Sequence, residues 1–386
     1  MLYYIQNNKY YIQERSDIMT EKAYKYRIYP NKNQKELIAK TFGCCRFVYN
    51  YYLDKRIEMY ENDKTTFTYY MCSKDLTQLK KKYEWLKEPD KDSLQKCLKD
   101  LDIAYQKFFK EHTGYPKFKS KKNRYQSYRT SCTNNNIRFE NSHIKLPKLG
   151  LVKVRDKQVP QGRILNVTIS QEPNGHYYCS LCCTNVEFKQ LPKTNQNIGI
   201  DLGLVDFAIL SDGTKIDNLH FFEKSEKKLT KLQRELSRKT IGSNRWNKAR
   251  IKVVNLQKHI SNQRNDFLQK LTTEIIRMYD VIAIEDLGVK SMKETDSTIR
   301  NKRVGDVSWS EFRRMLEYKS QWYGKKLSVI DRYYPSSQIC HCCGYKDGKK
   351  SEDIRSWICP KCNSKLDRDI NAAINILNEG LRIINV

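Results

Sequence analysis

The stretch that decides the fold is CPKCNSKLDRDINAAINIL, residues Cys359 to Leu377. Two cysteines two residues apart make half of a metal site. Two acids, Asp367 and Asp369, follow at once, and DINAAINIL then reads as a short apolar helix. A matching pair, Cys340 and Cys343, lies upstream, with 15 residues between Cys343 and Cys359. That spacing fits a four-thiolate zinc ribbon over about 336–365, with Cys340, Cys343, Cys359 and Cys362 as ligands. Four thiolates leave no open position, so such a Zn²⁺ is structural. His341 and Cys342 lie inside the first knuckle and read as bystanders, with Cys342 the available substitute. The plainer alternative is a set of buried free thiols. A ribbon here would fix the chain just before Asp369.

Composition says what such a site serves. The 386 residues leave room for roughly two or three domains. Apolar residues make up 39%, with 26 tyrosines and 13 phenylalanines, so the chain is globular. Lys and Arg number 72 against 44 Asp and Glu, a net charge of +28 that repels itself unless a polyanion neutralises it. No apolar run approaches the roughly 18 residues of a membrane span, and the basic residues are spread along the chain. Nucleic acid is therefore the stronger reading of the partner, ahead of an anionic membrane surface. The thirteen cysteines carry no secretory signal, and outside the last group they read as reduced core residues.

Residues 1–18, MLYYIQNNKYYIQERSDI, lack a sustained period and are expected to be a dispensable or disordered extension. MTEKAYKYRIYP, opening at Met19, then alternates like a strand (Tyr24, Tyr26, Ile28) and is broken at Pro30-Asn31. Leu37, Ile38, Phe42, Cys45, Val48 and Tyr52 fall at helical spacing. A second helix runs from Ser93, its candidate cap, to Glu111. GYPKFKSKKNRYQSYRT (114–130) is basic, aromatic and rich in turns, and Ile137 to Phe188 is β in pattern. Strand, helices and then strands suggest a small barrel with a helical insertion. LPKTNQN (191–197) is a polar linker. Beyond it come three short strands over 197–216, a helical hairpin broken at Gly242-Ser243, the apolar strand VIAIE, a helix over 308–326 and the strand LSVIDRYY.

Three acids end or open segments otherwise built for burial: Asp201 after IGI, Glu285 after VIAI, and Asp369 before INAAINIL. A buried carboxylate needs a compensating partner. A salt bridge is the ordinary one, and Mg²⁺, which takes carboxylates plus water, is the other. Two such ions can drive phosphodiester cleavage, a chemistry that suits the charge of this chain. Strand alternation allows only one of Glu285 and Asp286 to face the site, and one of Asp367 and Asp369 could be a helix N-cap.

FGCCRFVYN (42–50), GYPKFKSK (114–121), GIDLGL (199–204), LQRELSRKTIGSNRWNKAR (232–250), DFLQKL (266–271), IAIEDL (282–287), SSQICHCCG (336–344), WICPKC (357–362) and LDRDINAAINIL (366–377) together resemble TnpB. TnpB proteins are transposon-encoded RNA-guided DNA endonucleases related to compact type V CRISPR effectors, and the resemblance runs from about Lys22 to the C-terminus.

It implies an α+β multidomain chain. An N-terminal wedge β-barrel (19–30 and 113–190) would hold an inserted helical recognition lobe (31–112). A RuvC-like RNase H domain with the inserted zinc ribbon would span 191–386. It implies Asp201, Glu285 and Asp369 as catalytic Mg²⁺ ligands in a two-metal site, leaving Asp367 as the neighbour, and Arg355 as a helper at the cleavage site. Lys365-Leu366 departs from the family, in which many members have a histidine nearby, without consequence for the metal.

The implied partners are a guide RNA encoded beside or overlapping the gene and double-stranded target DNA. They are bound by a monomer in a cytoplasmic, nucleoid-associated ribonucleoprotein. Base pairing reads the target, and the protein reads a short adjacent motif. Arg46, Tyr49, Asn50, Lys117, Lys119, Lys121 and Arg124 are the candidate nucleic-acid contacts. For them the plainer reading is that Phe42, Phe47 and Tyr49 are core and that Arg46 pairs with an acid. A compact CRISPR effector nuclease of the same architecture is the alternative, and a non-cleaving RNA-guided DNA-binding repressor, whose signature would be a lost acid, is the less favoured one because all three acids are present.

Overall fold

Lys22–Tyr29 forms strand β3, in which Tyr24, Tyr26 and Ile28 point into the core. The structure, a computed structural model, describes residues 3–6, 9–12, 21–156, 158–288, 305–351 and 354–384. Before β3, Tyr3–Gln6 (β1) and Lys9–Ile12 (β2) pair as an antiparallel hairpin. The rest of the 1–18 extension lies outside the described residues. The chain divides into two units, 1–187 and 188–386.

In the first unit, β3 pairs along its length with Tyr177–Thr184 (β9). Three helices are thus an insertion within one sheet. Helix α1 (Lys32–Asp63) starts in a capping box: Asn31 Oδ1 accepts from Gln34 N and Gln34 Oε1 from Asn31 N, each at 2.9 Å. Helix α2 (Tyr69–Lys82), capped by Thr68, has only Cys72, Leu76 and Leu79 buried, too sparse a stripe to stand out in the sequence. Helix α3 (Lys91–Glu111) buries Leu94, Cys97, Leu98 and Leu101. It begins two residues before Ser93, whose hydroxyl donates to Asp90 O at 2.6 Å, so Ser93 is not its cap.

The sheet is completed by β4 (Gln126–Ser131), β5 (Arg138–Glu140), β6 (His143–Leu146), β7 (Gly150–Val154) and β8 (Arg163–Gln171). Its order is β4-β8-β9-β3-β7-β6-β5. Among the described residues no ladder joins β5 to β4.

The second unit is built on a mixed sheet of order β12-β11-β10-β13-β14. Its strands are β10 (Asn197–Leu202), β11 (Asp206–Leu210), β12 (Lys215–Asp217), β13 (Val281–Glu285) and β14 (Lys326–Ile330). The run β12-β11-β10 is antiparallel and β10-β13-β14 parallel.

Alternation gives the sheet two characters. Ile198, Ile200, Ile282 and Ile284 face helix α5 (Asn244–Met278), the second arm of a hairpin with α4 (Phe221–Ser237), and helix α6 (Trp309–Tyr323). There they meet Ile275, Ile276, Phe312 and Met315 in one core. Gly199, Ala283 and Ser328 face helix α7 (Arg368–Ile384).

Helix α7 lies almost in backbone contact with the sheet. A Cβ added at Gly199 would overlap the Ala373 carbonyl and stand 2.7 Å from Leu377 N, and one added at Gly380 would overlap Ala283. Gly199→Ala should therefore cost about 1–3 kcal/mol or more, because helix and strand must part. A melting temperature equal to wild type would refute this packing.

Candidate active site

The α7 face of the sheet ends in acids. Ile200 is in register with Ile284, so Asp201 and Glu285 are next-door neighbours on parallel strands. Both continue the row of Gly199 and Ala283, so Glu285 and not Asp286 shares the α7 face with Asp201. Asp286 takes the opposite face, where Arg313 bonds it and Arg332 Nη2 lies 2.7 Å away, and these cations hold its carboxyl below the usual range.

Asp367 and Asp369 also separate. Asp367 Oδ1 caps α7, accepting from Asp369 N at 3.0 Å and from Ile370 N at 3.1 Å. This leaves the Asp369 side chain in the first turn, buried. Burial pushes the Asp201 carboxyl up to about 8, and the Glu285 and Asp369 carboxylates push in the same direction. Burial also raises Glu285. Carboxyl groups that bear on one another in this way offer the oxygen donors a hard divalent cation takes.

Each of the other two acids has its own donors. Ser336 Oγ bonds Glu285 Oε1. Arg355 Nη1 lies 2.9 Å from Asp369 Oδ2 and Arg368 Nε 3.0 Å from Oδ1. Among the described residues the four cysteines are the cluster whose ligand atoms could share one ion, and the three carboxylates are not drawn into such a cluster.

The cysteine sulfurs lie within 4.8 Å of one another, with Cys340–Cys362 at 3.7 Å and Cys343–Cys359 at 3.6 Å. Tetrahedral zinc, with Zn–S about 2.3 Å, separates its sulfurs by about 3.8 Å. Cys342 stays outside, exposed, 3.3 Å from His341 Nε2. The hairpin of β15 (Ser356–Ile358) and β16 (Lys365–Asp367) runs directly into α7.

Two asparagines on α7 hold the first knuckle. Asn371 accepts from His341 N at 2.9 Å and donates to Ile339 O at 2.8 Å, and Asn375 donates to Ser336 O at 2.8 Å. Sequence reasoning passed over Asn371, Asn375, Ser336 and Arg368. The only signal for the asparagines was two amides on the buried face of an otherwise apolar helix.

In the first unit, three of the candidate contacts serve the fold. Arg46 Nη1 meets Gln126 Oε1 at 3.2 Å, an amide where an acid was the plainer expectation. Tyr49 is buried beneath Lys119 Nζ, 4.1 Å from its ring. Asn50 clamps the Lys119 peptide through both N–H and C=O, at 2.7 and 2.9 Å. Lys117, Lys121 and Arg124 are exposed.

Three family models match the chain: "Probable transposase" over residues 180–296, "Cas12f1-like, TNB domain" over 309–376 and "Helix-turn-helix domain" over 19–65. The last covers, in this structure, strand β3 and the single helix α1. A protein of Streptomyces pristinaespiralis named "Putative RNA-guided DNA endonuclease" is 37% identical over 366 residues, 94% of this chain and 90% of that protein. InsQ of Escherichia coli, which bears the same description, is 33% identical over 377 residues, 94% of this chain and 93% of its own. In fold alone, the Cas12f1 chain of a complex with sgRNA and target DNA superposes with a TM-score of 0.63 at 12% identity, over 93% of this chain and 99% of that one. Matched nearly end to end at more than 30% identity, the chain belongs to the TnpB family of transposon-encoded RNA-guided DNA endonucleases.

Proposed function

We propose that this protein is an RNA-guided DNA endonuclease that hydrolyses phosphodiesters of its target at Asp201, Glu285 and Asp369. The observation that carries the proposal is the bearing of Glu285 and Asp369 on Asp201, three acids at one corner of a buried sheet. These residues would hold Mg²⁺, which when bound supplies the positive charge that activates water and offsets charge on the phosphate.

The chain's own groups set the geometry. Adjacent parallel strands fix Asp201 beside Glu285, Ser336 orients Glu285, and Arg368 orients Asp369 while its Nη1 donates to Ser351 O at 2.9 Å. Arg355, half-exposed with its Nη1 on Asp369, would meet a phosphate held at the acids. Cys340, Cys343, Cys359 and Cys362 would hold a structural Zn²⁺.

The central β10, with antiparallel strands on one side and parallel strands on the other, suits a RuvC-like RNase H domain. The first unit's sheet with its helical insertion suits a wedge and recognition lobe for guide RNA and target DNA.

Expressed with its native flanking DNA, the protein should copurify with one specific RNA. With that RNA it should cut matching double-stranded DNA in Mg²⁺ and not in EDTA. Recovery without RNA, or cutting that ignores the guide, rejects the reading. Ser336→Ala should slow cleavage by about 10–100-fold and raise the Mg²⁺ needed for half-maximal rate, with Ser336→Thr restoring both. An unchanged Mg²⁺ requirement would remove Ser336 from the site.

A further inference from the structure

Helix α3 ends at His112, whose left-handed backbone (φ 50°) turns the chain back on itself. The returning segment brings Tyr115 onto the last turns of the helix. Its ring centroid lies 5.7 Å from Tyr105 and 5.2 Å from Phe108, both edge-on, and its hydroxyl is 3.0 Å from that of Tyr105. Phe109 stacks along Tyr105 at 6.3 Å and meets Phe108 at 5.0 Å. Four rings thus lock one another, yet Phe109 is 68% and Tyr115 43% exposed. Single exposed apolar residues need no explanation, but a braced cluster is a surface with a use.

Its surroundings say which use. From 107 to 125 the chain carries Lys107, Lys110, Lys117, Lys119, Lys121, Lys122 and Arg124 against Glu111 alone. Phe118 and Tyr125, a little further on, are 54% and 48% exposed. Aromatic faces set among cations match a strand that offers flat bases on one side and phosphates on the other. Bases in a duplex are already stacked on each other and present no free face, so the match is to unpaired nucleotides.

We propose that Phe109 and Tyr115, braced by Tyr105 and Phe108, form a stacking platform for unpaired bases of bound RNA, with Lys110, Lys117 and Lys121 on its phosphates. This rests on the reading of the protein as an RNA carrier, and it places one RNA site on α3 and the segment after it.

The test uses full-length protein stripped of copurified RNA and a short single-stranded RNA carrying 2-aminopurine, whose fluorescence falls when the base stacks. Wild type should quench the probe. Phe109→Ala with Tyr115→Ala should bind it about tenfold or more weakly, with the quench lost and the salt dependence unchanged. Lys117→Ala with Lys121→Ala should instead keep the quench and lower the salt slope by about 0.7 for each lysine. Phe109→Tyr should restore binding, which excludes a folding defect.

Equal quenching by wild type and the aromatic double variant overturns the proposal. So does equally tight binding of the same RNA as a duplex. Tighter, Phe109-dependent binding of the matching DNA strand would assign the platform to DNA and overturn the RNA assignment. Guided cleavage that survives while the quench is insensitive to Phe109 defeats the platform alone. Loss of specific RNA copurification defeats the functional reading instead.

Discussion

Asp201→Asn should yield a protein that retains its RNA, fails to cut, and melts at a higher temperature than wild type. The cutting loss should be on the order of 10³-fold or more, since partners one shell out from a metal typically cost 10–100-fold and both other acids bear on Asp201. The stability gain has a separate cause. In the unfolded chain an aspartate ionises near pH 4. In the fold, burial and two neighbouring carboxylates hold the proton on Asp201 up to about 8. Between those limits the folded state binds more protons than the unfolded one, so metal-free wild type should lose stability as pH rises from about 4 to about 8. Asparagine has no proton to lose, and the variant should lack this part of the decline. Residual guided cleavage at wild-type rate, or a variant that melts below wild type across that range, would contradict the assignment. A gain in stability bought with lost activity is what an active-site charge cluster predicts.

Cys359→Ser has the second largest expected effect. Cys359 is fully buried, its sulfur 3.6 Å from that of Cys343, and it packs with Trp357 and Leu366 in the small core of the ribbon. Structural zinc contributes about 10–16 kcal/mol in zinc-finger peptides, more than a core this small could replace. The variant should contain close to no zinc, and the hairpin that leads into Asp369 should lose its anchor. Guided cleavage should fall to near background while the five-stranded sheet stays folded, as circular dichroism would record. Cys342→Ser is the matched control. That side chain is exposed and outside the cluster, so zinc content and cleavage should match wild type. Zinc retained in Cys359→Ser, or lost in Cys342→Ser, would overturn the ligand assignment.

Local rules were readable in the sequence, and rules that depend on approach were not. The cysteine quartet was legible because two Cys-x-x-Cys turns bring their own sulfurs together wherever the knuckles land. Helix α1 was legible from its spacing, and β10 to β12 from alternation and the Asp-Gly turn. Helix α2 escaped because its buried stripe is only Cys72, Leu76 and Leu79 in a lysine-rich segment. Ser93 looked like a cap, but Asp90, just after Pro89, starts the helix while its own carboxylate accepts from Thr130 Oγ1 at 2.5 Å. Apart from the family resemblance, Glu285 and Asp286 could be separated only by knowing which face α7 covers, and that depends on paired strands 84 residues apart in the chain (Asn197 opposite Val281). Asn50 was a candidate for nucleic acid because it is polar and lies in a basic, aromatic motif. Its partner, the Lys119 peptide, comes from a segment 69 residues away.

The glycines beneath α7 have a mechanical consequence. A layer of side chains between helix and sheet acts as a soft cushion, able to repack as the helix tilts. At Gly199 that cushion is missing and backbone rests nearly on backbone, and at Gly380 it is thinned to the short side chains of Ala283 and Ser328. Helix and strands therefore form a stiff frame, and the distance from Asp369 to Asp201 is gauged by it. Outside that frame lie exposed arms such as Arg355 and the described turns of the ribbon. Those turns could be lengthened or exchanged in an engineered variant without altering the gauge.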